Sequence, residues 1–378
     1  MKNKILFIIP SLIGGGAEKT LINLLSIIDC DYYDITVCSI LNKGVYINRL
    51  PKNVRLVTLF NSEILNKLLF KIHQKYNFIY PISYMLKSKF RNEYFDFGIC
   101  FLDGIATELL MDDKMFNKKI TWVHACYKSF NNFYKFYSNK KYKNRLIQYR
   151  YKKLDSIIFV SEDSKSEFIE IFGTYNDMRV IYNPISNKEI LQKSEINNIC
   201  SNFSSNVFKF IAVGNLSPVK NYNLLIESVK SLKDINPNFK VFVLGSGVLD
   251  STLNKKVNEL NLNSNIVFNG FYQNPYSIIK SCDAFIMTSI SEALPTSMIE
   301  AMILSKPIIT TNVSGCREIV MNGDYGIITN NTPEDISNKM ALLMKDKNVY
   351  NHFKKKSEER AMAFSDEKFL NSFYNLLK

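Results

Sequence analysis

The chain has 378 residues and 43.7 kDa, with 46% hydrophobic and 22% charged residues. That composition excludes a disordered or fibrous chain and leaves enough sequence for two cores of ordinary size. Lys and Arg number 48 against 35 Asp and Glu, a formal net charge of +13, which points to an anionic partner: nucleic acid, a membrane surface or a phosphorylated substrate.

The first residues imitate a signal peptide. Their apolar run is short, however, and Gly14-Gly15-Gly16-Ala17-Glu18-Lys19 follows without a small-residue cleavage site. Residues 5–9 therefore read as a buried strand. Residues 17–28 read as a helix, with Leu21, Leu24, Leu25 and Ile28 at helical spacing. Strand signals recur at 35–40, 54–59, 97–101, 120–123 and 156–160. These short apolar runs without alternation suit a parallel sheet covered on both faces. Between them the charge is uneven: residues 1–190 hold 28 basic and 18 acidic side chains, and twelve basic and no acidic ones lie from Lys114 to Lys153.

The pattern restarts at 208–213, a strand, with a helix at 222–232. Strands follow at 240–244, 265–268, 284–287 and 307–310, and helices at 250–260 and 295–304. Two β-α-β series in succession predict an α/β chain of two doubly wound domains. Domain boundaries are placed at 1–185 and 207–349. The polar, Ser- and Asn-rich segment 186–206 reads as a linker, and 350–378 as an amphipathic C-terminal helix crossing back to the first domain. Seven cysteines, an odd number without C-x-x-C spacing, exclude a disulfide framework and a structural zinc site, and read as reduced thiols of a cytosolic protein. No run of about 18 apolar residues predicts a transmembrane helix.

Three segments carry candidate chemistry. The loop from Pro10 to Glu18 offers glycine backbone and a helix N-terminus to an anion; a tight turn reads equally well. It is neither G-x-G-x-x-G nor a P-loop. The segment Val213–Asn221 puts Lys220 just before a helix, where it suits a diphosphate or simply points to solvent. In Glu292-Ala293-Leu294-Pro295-Thr296-Ser297-Met298-Ile299-Glu300, two carboxylates flank a helix start. They suit sugar or ribose hydroxyls, and equally a capped surface helix.

In this order the three segments, with Gly245-Ser246-Gly247, resemble the retaining glycosyltransferases of family 4. The resemblance covers essentially the whole chain and is strongest from 207 to 335. It implies the GT-B fold, two facing Rossmann-like domains with a cleft between them. It implies that Gly15 and Gly16 face a donor diphosphate, with Asn215, Lys220 and Gly245 also at the donor. Lys220 would neutralise the leaving group. Glu292 would touch the donor sugar, the backbone at Leu294, Pro295 and Thr296 would hold phosphate or sugar, and Glu300 would bind ribose. Pro295 has no N–H to give. A histidine of the family matches His124, near the transferred sugar and acceptor; a structural histidine is the alternative. Asn215 departs from the family's Arg and leaves out one charged clamp. Ala293 stands where Gly is common. The family uses no metal and no cofactor beyond the nucleotide-sugar, and no metal-ligand cluster is apparent in the sequence.

The basic stretch 127–153 interleaves cations with aromatic side chains, and 64–91 is a second stretch of this kind. Lys135, Lys140, Lys141, Lys143, Arg145 and Arg150 suit an anionic bilayer or an anionic acceptor. The alternative is a solvated basic helix over core. No nucleic-acid module is recognisable. The expectation is a hexosyltransferase peripherally attached to the cytoplasmic face of the membrane. It would move a sugar, UDP-linked, to a lipid-linked or surface-glycan acceptor of a capsule, lipopolysaccharide or similar polymer. The rivals are a nucleotide-sugar 2-epimerase on the same fold and a non-catalytic nucleotide-sugar-binding partner of another transferase. A nicotinamide dehydrogenase fails on the spacing of the glycine loop.

Overall fold

The structure is a computed structural model, and it describes residues 2–13, 15–76, 79–112, 114–127, 140–196 and 207–378. The chain forms two units, Met1–Pro184 with Phe369–Lys378, and Ile185–Lys368.

In the first unit the elements run β1 (Asn3–Ile9), α1 (Gly16–Ile27), β2 (Tyr33–Leu41), β3 (Arg55–Phe60), α2 (Glu63–Tyr76), α3 (Tyr80–Lys89) and β4 (Phe95–Cys100). Then come β5 (Phe116–Val123), α4 (Lys140–Tyr149), β6 (Ser156–Phe159), α5 (Glu162–Phe172) and β7 (Met178–Val180). The seven strands lie in the order β3-β2-β1-β4-β5-β6-β7, all parallel. Ile5 of β1 pairs with Ile35 on one side and Phe97 on the other. Residues 5–9, which imitated a leader, are fully buried between helices, which is why they are apolar without alternation. Phe373 joins this core from the far end of the chain, stacked on Phe7 at 6.5 Å and 6.2 Å from Trp122.

The second unit holds α6 (Asn187–Ser194), β8 (Phe208–Val213), α7 (Tyr222–Ile235), β9 (Phe239–Leu244), α8 (Asp250–Glu259), β10 (Ile266–Phe268), α9 (Tyr276–Ser281) and β11 (Ala284–Met287). It continues with α10 (Thr296–Ile303), β12 (Ile308–Thr311), α11 (Ser314–Ile319), β13 (Ile327–Thr329), α12 (Pro333–Lys345) and α13 (Lys347–Ala361). The six strands run β10-β9-β8-β11-β12-β13, again all parallel. The last helix, α14 (Asp366–Leu377), spans the boundary of the two units.

Three details differ from the sequence reading. β7 and β13 are three-residue edge strands, too short to leave a periodic signal. The segment read as a linker begins with α6, whose N-cap Ser186 accepts the Glu189 N–H. The stretch 350–378 is two helices, not one. Phe364 is buried and Ser365 leaves helical backbone, so its Oγ accepts the Lys368 N–H at 3.4 Å and starts a new helix.

In each sheet the strand order reverses once, between β1 and β4 and between β8 and β11. The loops leaving such neighbouring strands diverge and open a crevice at the C-terminal edge, where ligands of doubly wound sheets bind. The candidate segments sit there: residues 10–13 after β1 and 15–18 at the start of α1, 214–221 after β8, and 288–296 after β11.

Candidate functional site

In the second unit Lys220 and Glu292 meet. Lys220 Nζ lies 2.5 Å from Glu292 Oε1, and both side chains are mostly buried. Lys220 precedes Asn221, whose φ of 49° turns the chain into α7; Asn tolerates this left-handed backbone better than most residues. The two loops are zipped together. Ile290 donates its N–H to Val219 O at 2.9 Å, and Thr288 Oγ1 donates to Lys220 O at 3.1 Å. A cation and a carboxylate 72 residues apart in sequence are thereby fixed at one crevice.

Glycines let neighbouring loops close on this place. Gly245, directly after β9, has a φ of +153°, and a Cβ there would lie 1.9 Å from Gly214 O. Its N–H donates to Gly270 O at 2.8 Å. Asn215 is exposed beside it, and Leu216 N–H reaches Ser246 O at 3.0 Å. Gly315 donates to Glu292 O at 2.9 Å, and a Cβ there would meet Ala293 O at 2.2 Å. The loop 288–296 is thus braced from behind.

Leu294 and Pro295 are buried and lead into α10, with Pro295 as an extended N-cap without a capping side chain. Thr296 opens the helix, whose first N–H groups suit an anion. Ser297 Oγ ties this turn to Val213 O, the end of β8, at 3.1 Å. Glu300 lies one turn further in and is 4% exposed. Lys220, Gly245, Glu292, Leu294, Pro295 and Thr296 therefore all lie at the C-terminal edge of one sheet.

In the first unit Gly15 is the N-cap of α1 and Gly16 its first residue; both are exposed. The chain's own Glu18 turns back to this helix start. Its carboxylate accepts from the N–H groups of Gly15 and Glu18, while burial pushes its pKa above the usual value. The site that the sequence offered to a diphosphate holds a carboxylate of the same chain.

His124 directly follows β5 and packs on Phe101, ring centres 5.1 Å apart. One ring nitrogen donates to the Phe101 carbonyl, and Nε2 is enclosed without a hydrogen-bond partner among the described residues. Nε2 is therefore a bare acceptor, suited to a hydroxyl. Burial pushes the pKa of His124 down to about 3. Between pH 6.5 and about 3 the unfolded chain binds a proton that the folded chain refuses. Stability is thus complete above pH 6.5 and falls below it, by up to about 1.4 kcal/mol per pH unit. In urea unfolding at pH 7 and pH 5, His124→Gln is expected to flatten that fall. An equal fall in both proteins would rule out a buried neutral imidazole.

A carboxylate that the sequence reading does not single out, Asp103, is bonded to the end of β5, the strand that leads to His124. Asp103 donates its N–H to Trp122 O at 2.9 Å. Its side chain accepts from Thr107 Oγ1 at 2.7 Å, from Tyr151 OH at 2.9 Å and from Tyr127 OH. Tyr127 and Tyr151 bracket the basic stretch, so both its ends are held on one carboxylate. A single Asp in a loop leaves no motif, and only the topology joins these residues.

Arg150 requires a correction. It was grouped with the membrane- or acceptor-facing cations, yet it is 2% exposed and lies 2.5 Å from Glu108 Oε1. The chain re-enters the core directly after α4, so the guanidinium is carried inward and held by a carboxylate. Lys135 lies outside the described residues, as do the side chains of Lys140, Lys141, Lys143 and Arg145. On the second basic stretch, α2 exposes Ile64 (83%), Leu65 (43%) and Leu68 (53%) beside Lys67. No helix among the described residues is long and apolar enough to cross a membrane.

Residues 195–360 match the family described as glycosyl transferases group 1. An uncharacterized glycosyltransferase of Methanocaldococcus jannaschii is 28% identical over 296 residues, 72% of this chain and 71% of that protein. The N-acetylgalactosamine-N,N'-diacetylbacillosaminyl-diphospho-undecaprenol 4-alpha-N-acetylgalactosaminyltransferase of Campylobacter jejuni is 29% identical over 227 residues. That match covers 59% of this chain and 60% of that protein, under two thirds of its length. Anabaena HepE, crystallised with UDP and glucose, superposes with a TM-score of 0.78 over 99% of both chains at 18% identity, a likeness of fold.

Proposed function

We propose, from the match of residues 195–360 to the glycosyl transferases group 1 and from the GT-B fold, that this chain is a retaining glycosyltransferase of surface-polysaccharide or glycoconjugate assembly that uses a UDP-sugar. The observation that carries the reading is the Lys220–Glu292 pair at the β8/β11 crevice. A lysine there meets the charge of a leaving diphosphate, helped by the N–H groups of α10. A carboxylate there orders sugar hydroxyls by charge-assisted hydrogen bonds. His124 Nε2, an acceptor only, suits a hydroxyl of the transferred sugar or of the acceptor. In this reading the lysine does the work of a metal ion.

Thermal unfolding with UDP, UDP-glucose and GDP, and with NAD as control, tests the donor. Each ligand is measured with and without EDTA. UDP or a UDP-sugar at 100 times its Kd is expected to add about 2.7 kcal/mol. A shift with NAD alone, or one that EDTA abolishes, would defeat the reading.

For the acceptor we favour a lipid-linked diphosphate sugar met at the cytoplasmic face of the membrane. The name of the Campylobacter relative supports it, as do the exposed apolar and basic side chains of α2. In flotation the protein is expected to rise with vesicles containing anionic lipid and to stay down with neutral ones. Equal recovery in both would remove the membrane from the proposal.

A further inference from the structure

Ser289 is 1% exposed and stands three residues before Glu292. Its Oγ donates to Glu292 Oε1 at 2.7 Å, the same oxygen that receives Lys220 Nζ at 2.5 Å. Its carbonyl accepts from the buried Thr311 Oγ1 at 2.6 Å. On either side, Thr288 and Ile290 bond to the backbone of Lys220 and Val219. The backbone that carries the Ser289 hydroxyl is therefore fixed by both neighbouring loops.

We propose that Ser289 is a positioning residue for Glu292, needed once a donor has bound. The inference rests on reading this crevice as the donor site. Lys220 carries one positive charge, and without donor Glu292 shares it. A bound diphosphate carries more negative charge than one carboxylate and draws the ammonium toward itself. Glu292 then loses the hold of Lys220 at the moment when its orientation toward the sugar matters. The serine hydroxyl does not follow the lysine. It keeps Oε1 in place, and the carboxylate stays aimed while Lys220 changes partners. The same hydrogen bond also lowers the cost of leaving a partly buried carboxylate beside a diphosphate.

The discriminating pair of ligands is UDP against UDP-sugars. UDP presents the diphosphate alone, whereas a UDP-sugar also presents hydroxyls to Glu292. Affinities for UDP, UDP-glucose, UDP-galactose and UDP-N-acetylglucosamine are measured for the wild type, Ser289→Ala and Ser289→Thr. The expected result for Ser289→Ala is an unchanged Kd for UDP. Its Kd for the preferred UDP-sugar should weaken about 10- to 100-fold, the loss of one hydrogen bond to a charged group. Ser289→Thr, which keeps the hydroxyl, should recover most of it. Equal loss of UDP and UDP-sugar in Ser289→Ala would mark a merely structural serine and overturn the proposal, as would no loss at all. A wild type that binds UDP but gains nothing from any of the sugars would also overturn it. A wild type that binds neither UDP nor UDP-sugars defeats instead the donor-site reading beneath it.

Discussion

Glu292→Gln is expected to lower kcat/KM for sugar transfer about 10²- to 10³-fold with the fold intact. The substitution keeps the shape of the side chain and removes its charge. Two losses follow. Lys220 gives up the ionic partner that holds it 2.5 Å away, and the donor sugar gives up a charged acceptor for its hydroxyls. Both matter more at a partly buried site than at the surface, because water screens the pair less there. Spontaneous hydrolysis of the donor, read in the same assay without acceptor, should fall in step. A loss of less than tenfold would take Glu292 out of the reaction and leave it a structural partner of Lys220. Retained hydrolysis with lost transfer would move its role to the acceptor.

Gly245→Ala is expected to cost about 3 to 5 kcal/mol of stability, read as a drop in the urea midpoint of the second unit. Two penalties coincide. The φ of +153° is one that alanine rarely adopts, and the new Cβ would stand 1.9 Å from a backbone oxygen, Gly214 O, which cannot rotate away. Relief requires β8 and β9 to part at the crevice, so ligand binding should fail together with stability. Gly16→Ala is the control. Nothing stands within 4 Å of a Cβ there, and the residue opens a helix, so stability should be unchanged or slightly higher. A cost below 1 kcal/mol for Gly245→Ala would mean that the β9 loop shifts freely.

Much of the fold was legible because both sheets are parallel and buried. Strands such as β1 and β9 must be apolar on both faces, and that leaves runs which no surface loop imitates. The Lys220 and Glu292 segments were legible for a different reason: taken in order with the glycine loops they resemble a known family, whereas each alone read equally well as solvent-exposed or as a capped surface helix. What stayed hidden depends on distance in sequence. Arg150 looked like one more cation in a basic run, since nothing local announces Glu108 as its partner. Asp103 and Ser289 are single polar letters in loops, and their roles arise only when β4 meets β5 and when β11 meets β12. The edge strands β7 and β13 are set by their neighbours' hydrogen bonds more than by their own three residues.

The meeting of Tyr127 and Tyr151 on Asp103 has an evolutionary consequence. The two residues that flank the 128–150 segment are thereby joined at one carboxylate of the first unit. Residues added ahead of Lys140 need not alter the register of β5 and β6, provided that Leu146 and Arg150 keep their buried places. Adding chain between two joined points costs little in general, about 0.6 kcal/mol per doubling of a loop. The joined tyrosines thus mark a place in the scaffold where the chain can change in length while β5, the strand that leads to His124, is inherited unchanged.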